Sequence, residues 1–145
     1  MEYVVLGRSN LLVSRIAFGA YGLQYVDSDE DAAQLVSMAY QGGINFFDTA
    51  HHKPLSETRL GKAIQSIHRQ HIIIASKSMA TDEETLRLDI ESSLDALQCD
   101  YIDLYQIENH DFLPKEDSQD GLYKVLKKFK EQGKIHHLGF VTETL

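Results

Sequence analysis

The sequence predicts an α/β fold built around a parallel sheet. Apolar, strand-like runs alternate with segments of helical periodicity in the order β, α, β, α, β, α, β, α, β, behind a short N-terminal hairpin. Residues 72–75 form a continuous apolar run, which is typical of a strand buried on both faces of a parallel sheet. The connections are long enough for right-handed parallel crossovers. These patterns fit an open doubly wound sheet or part of a (β/α)8 barrel, and periodicity does not separate the two.

The N-terminal segment predicts a hairpin and then a strand that ends in small residues. Residues 3–6 and 11–14 are β-prone runs on either side of a loop, and the apolar run 16–20 follows them. The end of that run could let a ligand approach the backbone, or ease a tight turn, through Gly19, Ala20 and Tyr21. Residues 19–22 do not supply the G-x-G-x-x-G turn of a Rossmann dinucleotide site.

Four helices are predicted from capping residues and from apolar spacing. Their predicted N-terminal signals are Ser28 with Asp31, Ser56, Thr81 with Glu84, and the polar loop before Leu122. The predicted ends are Gly42 at C′ of the first helix, a point near Arg69 for the second, and Gly133 for the fourth. The predicted buried faces are Ala32, Leu35, Val36 and Ala39; Leu60, Ile64 and Ile67; Leu86, Ile90, Leu94 and Leu97; and Leu122, Val125, Leu126 and Phe129.

Charged side chains stand where the central predicted strands end. The remaining predicted strands are residues 45–47, 71–76, 101–107 and 135–141. Asp48, Lys77 and Glu108 follow the first three of them. Ligands of α/β proteins bind at the carboxyl ends of parallel strands, so Asp48 lies where ligands usually bind. The alternative role for Asp48 is to cap a turn.

Composition excludes several classes of protein. The 145 residues include 14 basic and 22 acidic side chains, and the net charge of −8 is spread along the chain. This charge argues against a nucleic acid or an anionic membrane as the main partner. A single cysteine, Cys99, excludes an intramolecular disulfide and a CxxC metal site, as expected of a cytoplasmic protein. The sequence shows no signal peptide, and no apolar run approaches the ~20 residues of a membrane span.

Six stretches resemble the N-terminal half of an aldo-keto reductase. They are YVVLGRSNLLVSRIAFGAYGL, GINFFDTA, SETRLGKAI, IIIASK, SLDALQCDYIDLYQI and EQGKIHHLGF, in that family's order and spacing. SETRLGKAI and the loop QIENHDF are similar to its sugar-dehydrogenase-like members. The resemblance implies a partial (β/α)8 TIM barrel with an N-terminal hairpin, about five further strands and four helices. It also implies NADPH-linked reduction of an aldehyde or ketone, or the reverse oxidation of a sugar or alcohol.

The resemblance implies four catalytic positions, of which this sequence keeps two. The family uses an aspartate, a tyrosine five positions later, a lysine and a histidine. Asp48, in DTA, matches the aspartate, and Lys77, at the end of IIIASK, matches the lysine. Lys53 occupies the tyrosine position and Glu108 the histidine position. For the nicotinamide end of NADPH, the resemblance implies Gly19, Ala20, Tyr21 and Asp48.

The two altered positions change the chemistry that is available. Hydride delivery to a carbonyl builds negative charge on oxygen, which needs a proton donor or a preorganised positive group. In the tyrosine position, Lys53 would be an ammonium beside the ammonium of Lys77, and like charges lower each other's affinity for protons. The sequence therefore predicts either that Lys53 acts as the acid or that the site is decayed or repurposed. Glu108 is expected near both lysines, where it could form an ion pair with either.

Length predicts half of a barrel. A (β/α)8 barrel needs about 250 residues, whereas residues 1–145 hold five strand units behind the hairpin. We therefore expect a fragment, a truncated product, or a half-barrel completed by a partner, with the adenosine end of NADPH held elsewhere. An open arc would expose apolar surface and two strand edges, which favours self-association or a completing half-barrel. The alternative function is a catalytically inactive half-barrel that binds a partner.

A metal-dependent hydrolase is the enzymatic alternative. Several residues on the predicted strand-end loops are of types that bind Zn²⁺: Asp48, His51, His52, Glu108 and His110. Adjacent histidines do not share a face of a helix or strand, and no HxH or HxxxH spacing is present. The sequence therefore predicts no metal site.

Overall fold

The computed structural model of the protein describes residues 1–109 and 114–142. Within those ranges it contains a two-stranded hairpin, five further strands and four α-helices, as predicted. In chain order the elements are β1 Tyr3–Val5, β2 Leu12–Ser14, β3 Phe18–Gly19, α1 Asp29–Gln41, β4 Phe46–Asp48, α2 Pro54–Ala63, β5 Ile73–Ser78, α3 Glu83–Leu97, β6 Ile102–Glu108, α4 Leu122–Glu131 and β7 Ile135–Val141. Short 3-10 helices span Ala20–Tyr25, Ile64–Ser66 and Arg69–His71.

The strand order resolves the alternative that periodicity left open. Strands β3, β4, β5, β6 and β7 are neighbours in that sequential order, and each pair is parallel. A doubly wound sheet reverses its order at a switch point, whereas this one advances in a single direction, as in a (β/α)8 barrel. Its edges in the described part of the chain are β3 and β7. The hairpin of β1 and β2 is antiparallel and separate.

The hydrophobic core lies between the helices and one face of the sheet. Side chains alternate along a strand, so one set from each strand packs under the helices and the other faces away from them. Phe47, Ile74 and Tyr105 belong to the packed set and are fully buried. The predicted apolar faces of α3 and α4 are confirmed at their buried positions, which are Leu86, Ile90, Leu94, Leu97, Leu122, Leu126 and Phe129.

The first helix begins as predicted and ends one residue differently. Ser28 caps α1, because its hydroxyl accepts a hydrogen bond from the amide of Asp31 at 3.0 Å. Gly42 keeps a right-handed φ of −72°, and Gly43 adopts the left-handed φ of +92° that a helix C′ residue takes. On the predicted apolar face, Leu35 is exposed, while Val36 is buried.

Three other helix boundaries, both ends of α2 and the start of α3, were predicted wrongly. Helix α2 begins at Pro54 rather than Ser56, since proline suits the first turn and Ser56 instead donates to the carbonyl of Ala20 at 2.7 Å. It gives way to a 3-10 turn after Ala63, well before Arg69. Helix α3 is capped by Asp82, which accepts from the amide of Thr85 at 2.9 Å, so the predicted Thr81 box is wrong.

The sheet register brings the predicted site residues to one end. Asp48 lies opposite Ala75, Lys77 opposite Gln106, and Glu108 opposite Val141. All three charged residues are therefore at the carboxyl ends of adjacent parallel strands, as the sequence predicts. In the portions of the chain that the structure describes, no helix has the length and apolar character needed to cross a bilayer.

Candidate active site

An ion pair between Lys77 and Asp48 lies at the centre of the site. The Lys77 ammonium donates to Asp48 Oδ1 at 3.0 Å, to Asp48 Oδ2 at 2.8 Å and to the carbonyl of Thr49 at 2.8 Å. The Lys77 side chain is 13% exposed and that of Asp48 is 39% exposed. The ammonium is thus fully engaged, while the carboxylate still faces open space.

Lys53 reaches the same region from the start of α2. It is the N-cap residue of that helix, although its side chain makes no capping hydrogen bond. Its Nζ lies 5.1 Å from the centroid of the exposed Tyr21 ring, within the range of a cation–π interaction. Tyr21 in turn shares a hydrogen bond of 2.7 Å with the hydroxyl of Tyr25. This hydrogen bond raises the pKa of the Tyr25 hydroxyl above its ordinary value.

Glu108 does not form the ion pair with a lysine that the sequence suggested. A basic side chain near it belongs to His52, whose Nδ1 lies 3.8 Å from Glu108 Oε2, beyond hydrogen-bonding distance. That oxygen is buried and has no hydrogen-bond partner among the described residues. An unsatisfied buried acceptor is costly, so Glu108 offers a position where the donor of a ligand would be stabilised.

These residues surround a cleft of about 170 Å³. Its walls are formed by Gly19, Tyr21, Asp48, Thr49, Ala50, His52, Lys53, Lys77 and Glu108. Six of the seven predicted site residues are thereby brought together. The seventh, Ala20, is buried, and its carbonyl accepts from Ser56. A larger groove of about 520 Å³ lies between α3 and α4, away from the strand ends, and is lined mainly by charged side chains.

Sequence reasoning missed a polar network on the helix-facing side of the sheet, behind Lys77. His51 is held between the carboxylates of Glu57 and Asp89, and these carboxylates accept hydrogen bonds from Ser76 and Ser78. A signal was present in the sequence: Ser76 and Ser78 alternate with Lys77 at the end of an apolar strand. Buried hydroxyls of that kind need partners.

His51 and His52, two of the residues considered as zinc ligands, each face carboxylates in the structure. His51 faces Glu57 and Asp89, and His52 faces Glu108. Within residues 1–109 and 114–142 no group of three or more histidine, cysteine, aspartate or glutamate side chains is arranged to hold a metal ion. His110 lies outside the described residues.

Comparison with known proteins gives a consistent result. The profile of the Aldo/keto reductase family matches residues 15–144. L-galactose dehydrogenase of Arabidopsis thaliana is 33% identical over 152 residues, covering 96% of this chain and 48% of the relative. A 6-dehydroglucose reductase of Novosphingobium aromaticivorans is 34% identical over 154 residues, covering 92% of this chain and 49% of the relative.

Solved structures agree with the sequence relatives. An aldo-keto reductase from Bacillus halodurans, solved in its holo form, superposes with a TM-score of 0.85 at 29% sequence identity. The match covers 99% of this chain and 51% of that protein. The chain therefore spans about half the length of the relatives that it matches.

Proposed function

The chain belongs to the aldo/keto reductase family, and on that premise we propose that it forms half of an NADPH-linked oxidoreductase. The proposed reaction is reduction of an aldehyde or ketone, or the reverse oxidation of a sugar or alcohol. The observation that carries the proposal is the Lys77–Asp48 ion pair at an open cleft on the carboxyl ends of parallel strands. Relatives named for galactose and dehydroglucose favour a sugar-like substrate.

The cleft fits one end of NADPH and not the whole cofactor. Sites that enclose a cofactor-sized ligand have volumes of about 300–1,000 Å³, and this cleft has about 170 Å³. Tyr21, the backbone of Gly19 and Asp48 would line the part of the cleft that receives the nicotinamide ring. Ala20, which is buried between Gly19 and Tyr21 in the chain, would support them. When bound, the nicotinamide would supply the hydride, and the adenosine end would need residues other than those around this cleft.

Several side chains around the cleft would together stabilise the negative charge that develops on the carbonyl oxygen. Asp48 holds the Lys77 ammonium in place, so its positive charge is preorganised near the developing oxyanion. Lys53 would supply the proton, since its ammonium stands at the cleft and occupies the position of the family tyrosine. Glu108 would accept a hydroxyl hydrogen bond from a sugar-like substrate. Hydrogen bonds of this kind fix a polar substrate because the site is otherwise left with an unpaired group.

Cofactor binding tests the proposal most directly. NADPH fluorescence and calorimetry on the whole chain should show saturable binding with a Kd on the order of 1 mM. We expect Lys77→Met to abolish this binding, because the variant leaves the Asp48 carboxylate unpaired beside the nicotinamide. Lys127→Met, which removes an exposed lysine on α4, is the matched control and should bind as the parent chain does. Absence of binding by the parent chain at millimolar NADPH would refute the proposal.

Replacing Lys53 tests the proton donor. Lys53→Tyr should increase NADPH-dependent reduction of a small aldehyde, such as glyceraldehyde, because tyrosine beside an ammonium is an effective acid. Lys127→Tyr is the control for a new exposed tyrosine. If Lys53→Tyr gives no gain in a complete barrel, this substitution is not what limits activity.

The second candidate function is that of a half-barrel that binds a partner. The hairpin carries four exposed apolar side chains, on Tyr3, Val4, Val5 and Leu12, and β3 and β7 are edges of the described sheet. Exposed apolar patches and strand edges favour association. Light scattering after gel filtration should then give a mass above the 16.4 kDa of one chain. A stable monomer would contradict self-association.

The cytoplasm, expected from the single cysteine, remains our proposed compartment.

A further inference from the structure

One buried carboxylate, of Glu57, and one partly buried carboxylate, of Asp89, hold the strand segment that carries Lys77. Ser76 and Ser78, on either side of Lys77 in β5, are buried on the helix-facing side of the sheet. Ser76 Oγ donates to Glu57 Oε1 at 2.6 Å. Ser78 Oγ donates to Asp89 Oδ2 at 2.5 Å. Glu57 projects from α2 and Asp89 from α3, so each helix is hydrogen-bonded to one of the two neighbours of Lys77 in β5.

His51 joins these two carboxylates to each other. Its Nε2 lies 3.2 Å from Asp89 Oδ1, and its Nδ1 lies 3.7 Å from Glu57 Oε2. The amide of His51 also donates to the carbonyl of Lys77 at 2.8 Å. His51 therefore contacts the backbone of Lys77 directly and reaches both of its neighbours through the carboxylates.

We propose that His51, in its protonated form, is a positioning residue that fixes Lys77 in the geometry of its ion pair with Asp48. The imidazolium neutralises Glu57 and Asp89 while they hold Ser76 and Ser78. The effect of this positioning role on catalysis rests on the proposed function, whereas the coupling between His51 and Lys77 is a property of the fold. His51 touches none of the reacting groups and acts through β5.

The charges around His51 favour the protonated ring. Glu57 raises the pKa of His51 above its ordinary value, partial burial opposes that rise, and the charge of Asp89 adds to it. The hydroxyl of Ser93 lies 3.4 Å from His51 Nδ1 and 3.5 Å from the hydroxyl of Tyr105 on β6, so Ser93 connects His51 to Tyr105.

Burial raises the pKa of Tyr105, so this hydroxyl stays neutral. Glu57 is 1% exposed, and loss of the histidine proton would leave this nearly buried carboxylate and Asp89 around a neutral ring. Two like charges around a neutral ring repel each other, which loosens their hold on Ser76 and Ser78.

The wild-type chain provides the first test, by NMR with 13C- and 15N-labelled protein. The imidazole signals of His51 and the ε-methylene signals of Lys77 are followed together between about pH 5 and 9. We expect both to shift with one shared midpoint above the ordinary histidine value. Lys77 signals that stay constant through the His51 transition would overturn the proposal, whether or not the chain reduces any carbonyl.

Variants separate the charge of His51 from its shape. His51→Gln should abolish the shared transition of Lys77 and lower carbonyl reduction by about tenfold through kcat, as a small misplacement of a catalytic group does. His51→Lys keeps a positive charge across this pH range, so its Lys77 signals should stay constant at the position that the wild-type chain shows below the transition. His68→Gln, which changes an exposed histidine elsewhere, is the control and should retain the transition.

The two proposals fail in different ways. A shared transition of His51 and Lys77 without NADPH binding by the wild-type chain would refute the proposed function and leave the positioning role intact. If His51→Gln does not fold, the wild-type titration alone decides. A Lys77 transition that persists unchanged in folded His51→Gln would overturn the positioning role.

Discussion

Two ion pairs of similar chemistry lie at opposite ends of the same sheet and have different surroundings. At the amino end, Arg69 Nη2 donates to Asp103 at 2.6 Å and to the carbonyl of Tyr101 at 2.9 Å, and its guanidinium packs on the Tyr101 ring at 4.1 Å. Asp103, 8% exposed in its side chain, also accepts from the amide of Ile74. At the carboxyl end, the Asp48 side chain is 39% exposed beside the cleft.

The difference indicates which pair is structural and which can meet a ligand. The carboxylate of Asp103 is closed off by a guanidinium, a backbone amide and the strands around it, which leaves little room for another molecule. The carboxylate of Asp48 is bound on one side only, by Lys77. A buried charge pair costs desolvation free energy that full hydrogen bonding must offset, and a half-open pair avoids much of that cost.

The largest predicted effect is at the closed pair. Asp103→Ala should lower the free energy of unfolding by about 3–5 kcal/mol, because it leaves a largely buried guanidinium without its counter-ion. Urea denaturation followed by circular dichroism measures the change. Asp100→Ala, at an exposed aspartate three residues earlier, is the matched control and should unfold as the parent chain does. A loss for Asp103→Ala no greater than that control would remove the distinction between the two pairs.

The open pair should respond differently to the same kind of change. Lys77→Met should lower the free energy of unfolding by only about 1 kcal/mol, because water can solvate the exposed Asp48 carboxylate that remains. Urea denaturation under the same conditions measures it. If Lys77→Met destabilises as much as Asp103→Ala, the Lys77–Asp48 pair is structural and the argument for a ligand there is lost.

Much of the fold was predictable because it depends on local patterns. Strand β7 runs from Ile135 to Val141 as predicted, since a β-prone run begins two residues after Gly133, the glycine that follows a helix. The boundaries that failed depend on contacts distant in sequence. Ser56 has the chemistry of an N-cap residue, but its hydroxyl is taken by the carbonyl of Ala20, thirty-six positions away.

The candidate site was predictable as a set of positions and not as a set of contacts. The strand-end pattern and the family resemblance located Asp48, Lys77, Lys53 and Glu108, which all line the cleft. The partners of Glu108 and Lys53 were not predictable, because His52 and Tyr21 meet them only through the packing of separate loops. The network around His51 was missed for the same reason: Asp89 lies on a different helix from Glu57.

The two ends of the sheet should also differ in how their histidines, His51 and His137, make stability depend on pH. The folded-state pKa of His51 is raised, chiefly by Glu57, so the folded chain binds this proton more tightly than the unfolded chain. The resulting stabilisation is fully present below the ordinary histidine pKa of about 6.5. It is lost as pH rises through the raised folded-state value.

His51→Gln tests this alkaline-side loss of stability. Urea unfolding of the parent chain and the variant at a series of pH values should show that the variant lacks the contribution. His68→Gln is the control and should preserve it. A parent chain whose stability does not fall above about pH 6.5 would show that His51 does not link folding to protonation in this way.

The smallest predicted effect is at His137 on β7, and its sign is opposite. Burial lowers the pKa of His137, Lys130 and His136 lower it further, and Asp103 opposes them. The unfolded chain then binds this proton more tightly, so stability falls as pH drops through about 6.5 and stops falling below the folded-state pKa. In the same urea series, His137→Gln should remove this acid-side loss while preserving the alkaline-side loss that depends on His51. If His137→Gln instead removes the alkaline-side loss, the assignment of opposite pH dependences to the two histidines is wrong.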